Sequence, residues 1–279
     1  MEGLAATLLA ACTSGAPSAE SSPSTAASSP AAETPAESQP PEFLVVALGD
    51  SIPYNLADDC PGCIGFVDQY AAALQAATAK TVAVVNNSEH NNNTVEPLLA
   101  GLTNQQNRIE AVANADAIIV GIAHNDVPMN RDDDACDGAF SEFPDWSTFT
   151  QSCIDTEVAR FTPTYEALFE RVAELRAGKP TILRTINRYN DWNGWPGHDL
   201  SSKGLAATTK VIAAWNDMIC AAAEANGFLC ADISTAFNGE DGTTPSGDLL
   251  AGDYTHPSQK GNDTIAEVLI DLGFAPLVQ

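Results

Sequence analysis

Positive charge is what this sequence has least of. Twelve Lys and Arg stand against 37 Asp and Glu, for a formal net charge of -25 over 279 residues, and the first basic residue is Lys80. A surface this acidic repels phosphate backbones and anionic head groups, which excludes nucleic acid and charged membrane surfaces as partners. A long apolar run is lacking too: the one at residues 3–11, GLAATLLAA, is far too short to span a bilayer. Also missing are G-x-S-x-G, H-E-x-x-H and the P-loop, so an ordinary α/β-hydrolase, a zincin and an NTPase are unsupported.

The short apolar run does have the character of a secretion signal's core. Its end, Leu9-Ala10-Ala11-Cys12, resembles a bacterial lipobox, which implies acylation of Cys12 as the mature N-terminus. The positive stretch usual ahead of such a run is missing; either the true start lies upstream or the signal does not work. Residues 13–41 contain 24 Ser, Thr, Pro or Ala out of 29, too little apolar surface to offset the entropy of ordering. The division read from this is a signal over 1–12, a disordered tether over 13–42 and one globular domain over 43–279. A cell-surface or secreted bacterial lipoprotein is expected, monomeric, and touching membrane only through its anchor.

Apart from Cys12 the cysteines number six: Cys60, Cys63, Cys136, Cys153, Cys220 and Cys230. An even count after a signal-like leader fits disulfides in an oxidising compartment. Of the 15 connectivities, the simplest is local: 60–63, 136–153 and 220–230. Cys60-Pro61-Gly62-Cys63 could instead be a redox pair, but Asp58 and Asp59 precede it, and nearby acid raises a thiol pKa. Zinc is disfavoured because no histidine accompanies the pairs at ligand spacing, and Asp132-Asp133-Asp134 with Asp137 lacks the alternation of a calcium loop. No metal or organic cofactor is expected.

Within the domain, short Val/Ile-rich runs at 43–48, 82–85, 117–123, 181–186 and 228–233 read as buried strands. Segments of helical period at 65–79, 94–113, 156–177, 203–226 and 259–272 alternate with them. Such alternation predicts an α/β fold with a parallel sheet of about five strands, covered on both faces. Ligands of such sheets bind beyond the strand ends, where the chain places Gly49-Asp50-Ser51, then Asn86 to Thr94, then His124-Asn125-Asp126. The loop before the last helix adds Asp253-Tyr254-Thr255-His256.

A serine hydroxyl, a histidine to take its proton, a carboxylate to fix the imidazole tautomer and amide donors for an oxyanion make up the equipment of nucleophilic acyl transfer. Ser51 is the nucleophile in this reading. Asp253 and His256 lie close enough to pair, with the second ring nitrogen facing Ser51. The oxyanion donors are the Ser51 N–H, a backbone N–H of the 88–92 turn and the Asn125 side chain. Alone, Ser51 would read as a helix N-cap, and Asp126 as a hydrogen-bond acceptor holding its loop. His90 and His124 are rival bases or substrate contacts. Trp192 and Trp195 either wall a pocket for an acyl chain or sugar ring, or cap the core.

Taken in order, Gly49-Asp50-Ser51, Asn125-Asp126 and Asp253-x-x-His256 resemble the GDSL or SGNH hydrolases, over essentially all of 43–279. The resemblance implies a flavodoxin-like three-layer α/β/α sandwich and ester hydrolysis with Ser51, Asp253 and His256 as triad and Asn125 as oxyanion asparagine. The cysteines and acidity are similar to those of secreted actinobacterial esterases and lipases of this group. Three positions depart from the pattern: Asn91 stands where the family has its oxyanion glycine, Ala123 replaces a glycine, and Ile52 replaces a leucine. Asn91 keeps the backbone N–H, and Asn tolerates left-handed backbone. The function read here is a serine esterase or lipase. Within enzymes the alternatives are a carbohydrate O-acetyl esterase and a phospholipase, so the substrate is a small-molecule, lipid or glycan ester. The alternative of another class is a non-catalytic binding lipoprotein.

Overall fold

The computed structural model describes residues 40–131, 134–136, 144–194 and 200–278. Cys12, nearly all of the tether and Trp195 lie outside them. Near the start of the described chain, the N–H groups of Glu42 and Phe43 donate to Thr81 O, each at 3.0 Å.

Five strands form the sheet: β1 (Phe43–Gly49), β2 (Val82–Asn86), β3 (Ala117–Gly121), β4 (Ile182–Ile186) and β5 (Leu229–Ala231). All neighbours are parallel and the order is β2-β1-β3-β4-β5. Side chains alternate between the faces of a strand, and both faces are apolar here. Val46, Leu48, Ile118 and Val120 enter one core; Val45, Ala47, Ala117 and Ile119 enter the other. Helices must therefore cover both sides. The first core is closed by α3 (Val95–Asn104), α4 (Gln106–Asn114), α5 (Gln151–Leu175) and α6 (Ser202–Glu224). The second is closed by α2 (Phe66–Thr78), α7 (Ile233–Asn238) and α8 (Gln259–Asp271). One turn of helix, α1 (Ser51–Tyr54), follows β1. This is the three-layer α/β/α sandwich expected. After β1 the chain turns to β2 on one side and then crosses to β3 on the other. The resulting crevice, where such sheets bind ligands, gathers the loops after β1, β2 and β3.

The three local disulfides are all present. They fit an oxidising, extracytoplasmic environment. No helix among the described residues is long and apolar enough to cross a membrane.

The helix predicted over 94–113 is two helices, because Gln105 takes an extended conformation (φ -103°, ψ 101°). The break folds the buried Arg108 back against Gly101, where any side chain on residue 101 would meet the guanidinium. Arg108 Nη2 then donates to Asn87 O and to the Glu89 carboxylate, fastening the loop after β2. Helix α5 starts earlier than its apolar period suggests, since Thr150 Oγ1 accepts from Cys153 N–H and caps it.

Asp126 is fully buried, as its reading as a loop-holding acceptor requires. The Val95 N–H at the start of α3 donates to both its oxygens (3.3 Å each), and the Tyr165 hydroxyl donates at 2.7 Å. Burial pushes its pKa up to about 7, against the Tyr165 and Val95 hydrogen bonds. A carboxyl raised from an ordinary 3.8 binds more protons folded than unfolded, so the stability it adds is complete below about pH 4 and is lost as pH rises through about 7. Asp126→Asn, which keeps an acceptor but cannot ionise, is expected to remove this decline. Thermal melts from pH 4 to 8 check it: the variant's Tm should gain on the parent's as pH rises, and parallel profiles would refute the assignment.

Candidate active site

The first wall of the site is set by a glycine. At Gly49 a Cβ would collide with the Gly121 carbonyl of β3, so only glycine lets the two strand ends come this close. Asp50 comes next, buried, with Oδ1 accepting from Ile52 N–H at 3.0 Å and Oδ2 accepting from Ala123 and His124 N–H at 3.1 Å each. Burial raises its pKa, opposed by those three N–H groups and by Arg188. The N-cap of α1 is thus Asp50, not Ser51. Ser51 stands one place later, at the first helical position, where a backbone N–H has no partner inside the helix. Its hydroxyl bonds no described residue, and the residue is 9% exposed.

The second and third loops are knitted to the first. Asn93 Nδ2 donates to Gly49 O at 2.9 Å, Glu89 N–H donates to the same oxygen at 3.0 Å, and Asn125 Nδ2 donates to Asn93 O at 2.9 Å. One amide hydrogen of Asn125 is engaged in this way and the other bonds no described residue. Asn91 lies exposed in the turn. The left-handed residue there is its neighbour Asn92, φ 48°, so the tolerance expected of Asn91 is used one place later.

The fourth loop brings Asp253 and His256 together as predicted, Nδ1 to Oδ2 at 2.6 Å. Asp253 Oδ1 also accepts from the N–H groups of Thr255 and His256, both at 3.0 Å, around a left-handed Tyr254 (φ 61°). From the loop after β4, the Tyr189 hydroxyl donates to Thr255 O at 2.6 Å and fixes this turn to the sheet. Burial would lower the His256 pKa, but the Asp253 hydrogen bond and the charges of Asp253, Asp59 and Asp50 outweigh it and raise it. The His256 hydrogen bond and the turn's N–H groups hold the Asp253 carboxyl low, overcoming its burial.

His256 Nε2 makes no hydrogen bond to Ser51: it is buried without a hydrogen-bond partner, and Asp59 Oδ2 stands 3.5 Å from it. The same Asp59 oxygen lies 3.0 Å from His90 Nε2, and the two imidazoles are stacked with centroids 5.8 Å apart. His90 is therefore engaged with Asp59. Asp59 is a site residue that the sequence reading missed. Its one signal was position, since it directly precedes the Cys60–Cys63 loop.

His124 is buried edge-on against Tyr189, with centroids 4.8 Å apart. Burial, helped by the charges of Arg188 and His256, drives its pKa well below the usual histidine value, so it is neutral near pH 7. Its Nε2 has no hydrogen-bond partner among the described residues. Trp192 takes the second of its two readings: it is 3% exposed, packs edge-on against Trp146 and donates from Nε1 to Asn130 Oδ1 at 3.0 Å. Beside it, the fully buried Arg188 bonds Asp191 at 2.9 Å and Tyr189 O at 3.1 Å, stiffening the loop that carries Tyr189.

Solved structures share this architecture. A lipase from a goat rumen metagenome is 20% identical with a TM-score of 0.64, covering 84% of this chain and 99% of its own. An acetylxylan esterase of Geobacillus stearothermophilus is 19% identical with a TM-score of 0.55, covering 86% and 97%. A putative GDSL-like lipase of Parabacteroides merdae is 12% identical with a TM-score of 0.54, covering 83% and 95%. No curated protein matches in sequence. At these identities the likeness establishes the fold. The activity follows from a match over residues 47–264 that takes in all four loops of the site: the chain belongs to the GDSL-like lipase/acylhydrolase family and is a carboxylic ester hydrolase.

Proposed function

We propose that Ser51 attacks the ester carbonyl, that His256 takes its proton through Nε2, and that Asp253 holds the imidazole in the required tautomer. The observation carrying this reading is the 2.6 Å contact between His256 Nδ1 and Asp253, which commits the Nδ1 proton to the carboxylate and leaves the Nε2 lone pair free. In acyl-transfer sites the hydrogen bond between base and nucleophile often forms only when substrate arrives, so an Nε2 without a hydrogen-bond partner is compatible with this role. Ser51 N–H, Asn91 N–H and the free Asn125 amide hydrogen are the oxyanion donors, each worth about 3 kcal/mol of barrier. The tetrahedral intermediate expels the alcohol, protonated by His256, and leaves an acyl group on Ser51. Water activated by the same histidine then releases the acid and restores the serine.

A short acyl group on a polar alcohol suits the surroundings best. The loops of the site carry polar groups, namely Asn91, Asn125, His90, Asp59 and His124, whose Nε2 has no hydrogen-bond partner among the described residues. The similar acetylxylan esterase structure points the same way. With Trp192 in the core, the aromatic wall for an acyl chain or sugar ring loses one of its two tryptophans.

A fluorophosphonate probe is expected to label Ser51 alone, as read by peptide mass spectrometry, with Ser51→Ala unlabelled. The unlabelled enzyme should hydrolyse p-nitrophenyl acetate at least about tenfold faster than the octanoate. Failure to label Ser51 would reject the nucleophile, and preference for octanoate would reject the short-acyl assignment.

A further inference from the structure

We propose that Asp59, His90 and His256 form a divalent-metal site of the zinc class, and that a metal bound there blocks ester hydrolysis by taking the Nε2 lone pair of His256. The blocking half rests on His256 acting as the base; the metal site itself does not.

The three side chains come from three separate loops, yet each offers one donor atom within 4.8 Å of the other two. Two edges of this triangle are 3.0 Å (His90 Nε2 to Asp59 Oδ2) and 3.5 Å (His256 Nε2 to Asp59 Oδ2). Zinc holds imidazole nitrogen at about 2.0–2.1 Å, so donors around a tetrahedral ion stand about 3.3 Å apart. Both edges already have this size. Two imidazoles and one carboxylate are also the donors that favour zinc over magnesium or calcium, which take oxygen. Three protein ligands leave a fourth position for water.

The surroundings supply what such a ligand set needs. A metal-bound histidine commonly donates its other ring nitrogen to a carboxylate, which orients the ring and strengthens the donor. His256 does this through Nδ1 to Asp253 at 2.6 Å, while its Nε2 is buried with no hydrogen-bond partner. The rings of His90 and His256 lie 21° from parallel, and the Nε2 of each approaches the same Asp59 oxygen. None of the three is sealed off, with side chains 16%, 30% and 16% exposed for Asp59, His90 and His256, which gives an ion a way in.

Bound zinc and proton transfer exclude each other, because His256 has a single Nε2 lone pair. Zinc should therefore act as a reversible inhibitor, relieved by a chelator.

Binding is read first without reference to catalysis. Equilibrium dialysis of the full-length Ser51→Ala chain against micromolar zinc chloride should give one zinc per chain. Adding His90→Gln, or the isosteric Asp59→Asn, should weaken binding at least about tenfold. No zinc at these concentrations, or binding by both double variants as tight as that of Ser51→Ala alone, overturns the site. Inhibition is read next: saturating zinc should lower hydrolysis of p-nitrophenyl acetate by the parent chain more than about tenfold, and EDTA should restore it. Against its own rate in EDTA, His90→Gln should be spared. Zinc binding by a chain that shows no hydrolysis even in EDTA leaves the site standing and removes His256's catalytic role. Hydrolysis indifferent to zinc in a chain that binds it leaves the site standing and overturns the block and His256's role as base, whereas hydrolysis by a chain that binds no zinc overturns the metal proposal and leaves the catalytic reading intact.

Discussion

Asp253→Asn is expected to lower kcat/KM for p-nitrophenyl acetate by about 10⁴-fold while leaving the fold intact. The size of the effect comes from geometry that dictates which way the new amide points. Asp253 Oδ1 accepts two backbone N–H groups, from Thr255 and His256, each at 3.0 Å. Only an oxygen can stay there, so the amide nitrogen must take the place of Oδ2, 2.6 Å from His256 Nδ1. An NH₂ group in that position donates to Nδ1, which forces the imidazole proton onto Nε2 and leaves no lone pair for Ser51. The base is lost by tautomer, not by displacement. Because the amide keeps both backbone hydrogen bonds, Tm should stay within a few degrees. Steady-state kinetics beside a thermal melt decide the matter; a loss under tenfold with an unchanged Tm would show that Asp253 does not set the tautomer.

The features legible in the sequence were those carried by local pattern. Runs such as Leu44 to Leu48 and Ile118 to Val120 are apolar on successive residues, which only a strand buried on both faces requires. The pairing of Asp253 with His256 is likewise local, three residues apart on one turn. The cysteine pairs are legible for the same reason, each closing a short loop. What pattern cannot show is contact between loops far apart in the chain. Asp59 meets His90 and His256 across separations of 31 and 197 residues, and no motif marks it. The break at Gln105 is invisible because apolar spacing continues through it; what favours the break is Arg108 reaching the loop after β2. Tyr189 belongs to no motif, and its role depends on Thr255 arriving from a distant loop. Trp192 was ambiguous because a tryptophan after a strand end lines a pocket or closes a core according to neighbours that sequence does not place, here Trp146 and Asn130.

Asp50 shows the same gap between motif and cause, and its replacement should have the largest effect on stability. It lies between Gly49 and Ser51, yet its structural work is to join two strands. Asp50→Ala would leave the N–H groups of Ile52, Ala123 and His124 without their acceptor in a buried setting. Each orphaned buried donor costs about 1–3 kcal/mol, so the variant should lose at least about 3 kcal/mol. For a domain of this size that is a fall in Tm of about 6–12 °C. Burial of the carboxyl itself opposes part of this, since removing a desolvated acid returns some free energy. The three lost hydrogen bonds outweigh that return, since each leaves a buried donor without its acceptor. Activity should fall as well in the molecules that remain folded. The same two bonds to Ala123 and His124 hold the Asn125 loop against Ser51, and a shift of about 1 Å at a reacting centre can cost about 10²-fold. Ser51→Ala, one residue along, is the matched control: it removes the nucleophile but no buried acceptor, so its melt should coincide with the parent's. A Tm for Asp50→Ala within 2 °C of that control would show that the two loops are joined by something other than this carboxylate.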